Sequence, residues 1–136
     1  MNTHRNLLAL YAGLAAGFVL GMLFALSLTI SRADPDAWTR ADTIRESAYY
    51  VFHFADWNQT RQIAANPDKY YELNPILGEH PSIADVDRYF FATAIIHTGI
   101  AYTLPADWRH AFQYFTIGAQ AATVGWNYRA GLKVQF

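Results

Sequence analysis

Three long stretches of this chain contain no Asp, Glu, Lys or Arg, and two of them still carry polar side chains at helical spacing. Leu7 to Ile30 has 24 residues, Tyr89 to Ala106 has 18 and His110 to Tyr128 has 19. At the rise of an α-helix these correspond to about 36, 27 and 28 Å. A bilayer core is about 30 Å thick, so the lengths point to membrane-spanning helices. Composition agrees: apolar residues are 53% and charged residues 15%, below the roughly 25% charge of soluble domains. Aromatics cluster near the ends of the apolar runs, where half-wet rings sit at a membrane interface.

The same figures exclude several classes. A net charge of −1 provides no electrostatic footprint for nucleic acid. The absence of cysteine removes disulfides, thiol catalysis and thiolate metal sites. No Gly-rich phosphate loop and no Ser in a nucleophile-elbow sequence is present. Neither a paired His-x-x-His nor a Glu-x-x-His occurs, so no metal and no cofactor is expected.

Along the first stretch Ala9, Gly13, Gly17, Gly21 and Ala25 recur every four residues. That spacing makes a flat helix face for close packing, within the chain or in a homo-oligomer through Gly13, Gly17 and Gly21. Ser31-Arg32-Ala33 loosely matches a signal-peptidase site, but the apolar stretch far exceeds a signal peptide's core, so an uncleaved anchor is expected. Residues 1–33 are therefore read as an N-terminal transmembrane anchor and 34–136 as a helical membrane domain with a polar interior.

In that domain Thr43 to Ala65 reads as a helix, with Ile44, Ala48, Val51, Phe52, Ala55 and Gln59 on one side. Its part free of Arg, Lys and Glu, Ser47 to Trp57, ends at Asp56, is too short to span alone and predicts a partly inserted helix. Asn66-Pro67-Asp68 ends it. Lys69 to Ser82 is a Pro/Gly loop, and Ser82 with Asp85 starts the next helix. Leu104-Pro105 joins two helices as an antiparallel hairpin, and Gly131 caps the last. The fold class is thus all-α and integral to the membrane. Lys and Arg bias places the loop and C-terminus on the cytoplasmic side of a bacterial inner membrane, multi-pass, with the lipid bilayer as partner.

Chemistry concentrates in a few lines of residues. Gln113, Thr116, Gln120, Thr123 and Asn127 are spaced 3, 4, 3 and 4, one helix face, which Arg109 extends. Thr93 and His97 are one turn apart on the preceding helix. His53, Asp56 and Thr60 share a face of the second helix, with Gln59 beside them. Glu72 and Asn74 lie in the loop, where Asn74-Pro75 makes a turn device. If Glu72 folds back toward Asp56 and His97, two carboxylates and an imidazole form an acid–base or cation site.

The pattern Asp56-x-x-Gln59-Thr60, then Glu72-x-Asn74-Pro75-Ile76-Leu77-Gly78, resembles a group of short uncharacterised membrane proteins of phages, prophages and bacteria. The resemblance runs from about Phe54 to Phe136. It implies a shared helical unit without a settled activity. The group often carries an acid near the position of Gln120, and its absence here weakens an acid-pair mechanism. The leading expectation is a small integral membrane accessory or interaction protein. The alternatives are a membrane-embedded enzyme or ion-binding protein using Asp56, Glu72 and His97, and a phage-type envelope effector acting in lysis or exclusion.

Overall fold

The structure is a computed structural model that describes residues 36–134. The chain divides into two compact units, Met1–Thr43 and Ile44–Phe136. The expected anchor over residues 1–33, with its Gly13, Gly17 and Gly21 face, lies outside the described residues. Three helices make up the regular structure: α1 (Arg40–Ala65), α2 (Ile83–Thr103) and α3 (Ala106–Arg129). No strand occurs among the described residues.

Local chemistry accounts for each helix end. Thr39 caps α1: its N–H and hydroxyl donate to Asp42 Oδ2 at 2.8 and 2.6 Å, and Asp42 N–H donates back to Thr39 Oγ1 at 3.1 Å. This reciprocal pairing satisfies amides that have no partner in the first turn. At the other end Asn66 donates its side-chain amide to Gln62 O, and Pro67 blocks further propagation. Ser82 and Asp85 form the same capping box on α2. Helix α3 ends in Gly131, at φ +94°. There Leu132 N–H reaches Asn127 O and Gly131 N–H reaches Tyr128 O, the bond pair of a Schellman cap.

The connection from α1 to α2 is built around Asn74. Its backbone N–H donates to Glu72 Oε1 at 2.9 Å, and its Oδ1 accepts from Ile76 N–H at 3.0 Å. Asn74 O accepts from Leu77 and Gly78, which sits at φ +75°. Glu72 N–H closes the loop on Glu79 O at 2.9 Å. The expected turn device is thus present in atomic detail. Helices α2 and α3 form the expected hairpin over Leu104 and Pro105.

The membrane architecture is corrected. Among the described residues no helix is long and apolar enough to cross a membrane. A partly inserted helix, a spanning hairpin and a multi-pass inner-membrane location are therefore not supported. The reason lies in counting charge instead of polarity. His97, Thr93 and Thr98 dilute α2, whose first turns also carry Asp85, Asp87 and Arg88. Gln113, Thr116, Gln120, Thr123 and Asn127 do the same to α3, with Asp107 and Arg109 at its start and Arg129 at its end. A second correction concerns α1. Ile44 and Val51, on the expected apolar side, are 61% and 63% exposed, while Glu46, His53 and Asp56 are buried. Helix α1 presents its polar side inward.

Two glycines separate backbone strain from helix propensity. A Cβ at Gly78 meets nothing within 4 Å, as at Gly99 in α2, but only Gly78 has positive φ. Gly78→Ala should destabilise by about 1 kcal/mol, whereas Gly99→Ala should stabilise by about 0.5–1 kcal/mol. Urea denaturation of the two variants checks the opposite signs.

Candidate functional site

The buried line of α1 is Glu46, Tyr49, His53, Asp56, Thr60 and Ile63, spaced alternately 3 and 4. Such spacing keeps one face turned toward packed neighbours. Four of the six are polar, so each must find partners on α2, α3 or the loop. Glu46, His53 and Asp56 do so, in three centres.

The first centre is Glu46. Its Oε1 accepts from His97 Nδ1–H at 3.0 Å and from the Thr98 hydroxyl at 3.1 Å, both on α2. Its Oε2 accepts from Gln113 Nε2 on α3 at 3.0 Å. Arg45 Nε in turn donates to Gln113 Oε1 at 2.9 Å, which fixes the amide's orientation. His97 Nε2 lies 2.9 Å from Thr116 Oγ1, and the ring stacks on Tyr49 with centroids 3.5 Å apart. Tyr50 joins the centre through short contact with the Thr98 hydroxyl and donates to Ala94 O.

Carboxylate, imidazole and hydroxyl thus stand in a row, Glu46–His97–Thr116. That order matches a general-base relay that activates a hydroxyl. However, Thr116 sits in mid-helix, and its hydroxyl lies 2.9 Å from Phe112 O and 3.1 Å from Gln113 O. Amides of a helix interior are occupied by the helix ladder, so they cannot stabilise an oxyanion. As arranged, the row can hold or pass a proton and bind three helices together.

The second centre is His53. Its Nε2–H donates to Phe90 O at 3.0 Å, so Nδ1 carries the lone pair. Nδ1 faces the Tyr49 hydroxyl and Gln120 Nε2, each at 3.3 Å. Burial holds this imidazole below its ordinary pKa, the neighbouring His97 adds to the effect, and the bond to Phe90 opposes it. The Tyr49 hydroxyl is raised well above its ordinary value, mainly by burial and then by Tyr50 and Glu46.

The third centre is Asp56, which accepts from Asn127 Nδ2 at 3.2 Å. Burial, and then the charge of Glu72, push its pKa from the usual 3.8 to about 7. Gln59, next on the face, donates to Val124 O and Leu132 O, each at 3.3 Å. Gln59 Oε1, Glu72 Oε2 and Gln120 Oε1 are buried without a hydrogen-bond partner among the described residues. These three acceptors lack donors, and the acid form of Asp56 brings one more donor to this polar interior.

The sequence candidates are therefore divided among centres. Glu72 lies near Asp56, as expected, but His97 pairs with Glu46 and not with either of them. Gln113, Thr116, Gln120 and Asn127 do face inward, and Thr60 is buried on the α1 line. Thr123 does not: it is exposed and donates to Ala119 O. Thr93 donates to Tyr89 O or Phe90 O of its own helix, and Asn74 serves the loop turn. Arg109 is buried and donates to Ala101 O and Leu104 O, capping the carbonyl end of α2.

Sequence reasoning missed Glu46, Tyr49 and Arg45, and also Asp87, which accepts from Trp57 Nε1 at 2.8 Å and pairs with Arg61. The continuous 3,4 spacing from Glu46 to Ile63 was the available signal for the first two. No group of three His, Cys, Asp or Glu able to hold a metal occurs among the described residues. An open groove of about 380 Å³ lies elsewhere, lined by Gln62, Asn66, Lys69, Tyr70 and Gly131. No family model, characterised protein or solved structure matches the chain.

Two variants test these centres. Glu46→Ala leaves three donors without their acceptor, two of them, His97 and Gln113, buried, and should cost about 3–5 kcal/mol in chemical denaturation. Asp56 carries a pH dependence. Below pH 4 the acid is protonated folded or unfolded. Between pH 4 and 7 only the folded chain holds the proton, so stability falls as pH rises, and above 7 the loss is complete. At ~1.4 kcal/mol per unit the total is about 4 kcal/mol. Asp56→Asn should flatten that slope and be the more stable protein at pH 8. Any slope from His53 is common to both proteins and cancels in their difference.

Proposed function

We propose that the chain is a small accessory or interaction protein, a helical module whose polar interior holds its shape and whose outward apolar faces take up a protein partner. One observation carries this reading: the helices turn large apolar side chains outward. Phe91, Ile95 and Ile96 on α2 and Trp108, Phe115 and Trp126 on α3 are 58–75% exposed. Phe91 and Ile95 stand one helical turn apart, and apolar surface that is contiguous marks a place of contact. Aromatic anchors of this type supply most of the binding energy in protein interfaces.

The interior supports the same reading from the other side. Glu46 joins His97 of α2 to Gln113 of α3, and Arg109 of α3 donates to Ala101 O of α2. Such networks specify one arrangement of helices, and a rigid face loses less entropy on binding than a mobile one.

Crosslinking of the full chain in its expressing cells provides the test. Crosslinked species above the monomer are expected. Ile95→Lys on α2 or Phe115→Lys on α3 should reduce them at least about tenfold while circular dichroism stays helical. A folded chain that crosslinks only as monomer, or whose crosslinks survive both substitutions, overturns the reading.

A further inference from the structure

Resting on that interaction reading, we infer that α3 packs antiparallel against α3 of a second copy of this chain, about a two-fold axis at Gly118. The outer strip of α3 runs from Asp107 through Ala111, Gly118, Ala122 and Gly125 to Arg129. Tyr114, whose ring also carries the Arg45 guanidinium at 5.4 Å, completes it. The spacing is 4, 3, 4, 4, 3 and 4, the same from either end. At about 100° per residue the seven lie within roughly 40° of one line, opposite Arg109 and Asn127. All seven are exposed.

The strip is shaped for a helix. Its centre is bare, since a Cβ at Gly118 or at Gly125 meets nothing within 4 Å. Absent side chains let a second backbone approach closely. Trp108, Phe115 and Trp126 stand as a ridge along one side, each at least 67% exposed.

Charge selects the occupant. Asp107 and Arg129 stand eleven residues on either side of Gly118, about 16 Å along the axis. Neither side chain makes a hydrogen bond or ion pair among the described residues. In an antiparallel pair Asp107 comes level with the partner's Arg129, and symmetry repeats the contact at the other end. Tyr114 comes level with the partner's Ala122, large against small, and Gly118 meets the partner's Gly118. A parallel pair would set Asp107 beside Asp107 and Arg129 beside Arg129, like charge on like. Each charge also suits the dipole of its own helix, but the dipole does not ask for a strip that reads alike in both directions. An isologous interface does, because every contact must occur twice.

The absence of cysteine makes the test direct. Gly118→Cys in the full chain adds one thiol in open space, where folding is not challenged. Oxidation should join two copies through it, and should leave Thr123→Cys, off the strip on the same helix, monomeric. In sedimentation velocity, Asp107→Arg and Arg129→Asp should each weaken the dimer about tenfold. The double variant should return to within about twofold of the parent. Three results overturn the inference: Gly118→Cys crosslinks no better than Thr123→Cys, the double variant fails to recover, or assembly is lost with Ile95→Lys on α2 but not with Phe115→Lys on α3. That last result leaves the interaction reading standing. A chain that stays monomeric while phosphatidylcholine vesicles shield the Gly118→Cys thiol also overturns it, by replacing the second copy with another occupant.

Discussion

The Glu46 carboxylate holds the bundle together. It accepts from His97 and Thr98 on α2 and from Gln113 on α3, so one side chain of α1 fixes the position of both other helices. A buried carboxylate has a large desolvation cost and is tolerated only when its lone pairs are met by donors in good geometry. Here three donors meet it, and each is oriented by a further contact. Gln113 is held by Arg45, His97 by Thr116 and Tyr49, and Thr98 by Tyr50. Apolar packing tolerates sliding by a fraction of a turn, but hydrogen bonds of fixed length do not. The helix register of this protein is therefore set by polar chemistry.

That arrangement has a consequence for the surface. When much of the inward line of α1 is Glu46, His53 and Asp56, and that of α3 is Arg109, Gln113 and Asn127, many of the large apolar residues are left on the outside, while Ile63, Val86, Phe90 and Leu132 remain buried. Ile95, Phe115 and Trp126 point away from the interior for this reason. The buried network and the apolar exterior are two results of one choice of helix face. The first gives the bundle a single shape, and the second gives that shape something to bind.

Legibility from sequence followed the range of the interaction. Contacts within five residues were readable: the Ser82–Asp85 cap, the Asn74 turn, the Gly131 cap, and the hairpin over Leu104-Pro105. The face of α3 was readable too, because Gln113, Thr116, Gln120 and Asn127 keep helical period among apolar residues. Thr123 fits the same period and yet lies outside, since a hydroxyl can return to its own backbone and carry no information about direction. Glu46 was passed over because a Glu beside Arg45 near a helix start looks like a solvated charge. Its role exists only through His97, 51 residues away, and Gln113, 67 residues away.

By itself, the sequence determined that the described chain is helical, where its helices start and stop, and which residues share a face. Those are properties of backbone sterics, capping chemistry and period, all local. Only the tertiary structure decided which face of each helix turns inward, and so that uncharged length did not amount to a membrane-crossing helix among the described residues. Only it decided that Asp56 meets Glu72 and Asn127 while His97 meets Glu46. Burial and the electrostatics that follow from it depend on which groups are brought together from distant parts of the chain, and spacing along one helix does not contain that information.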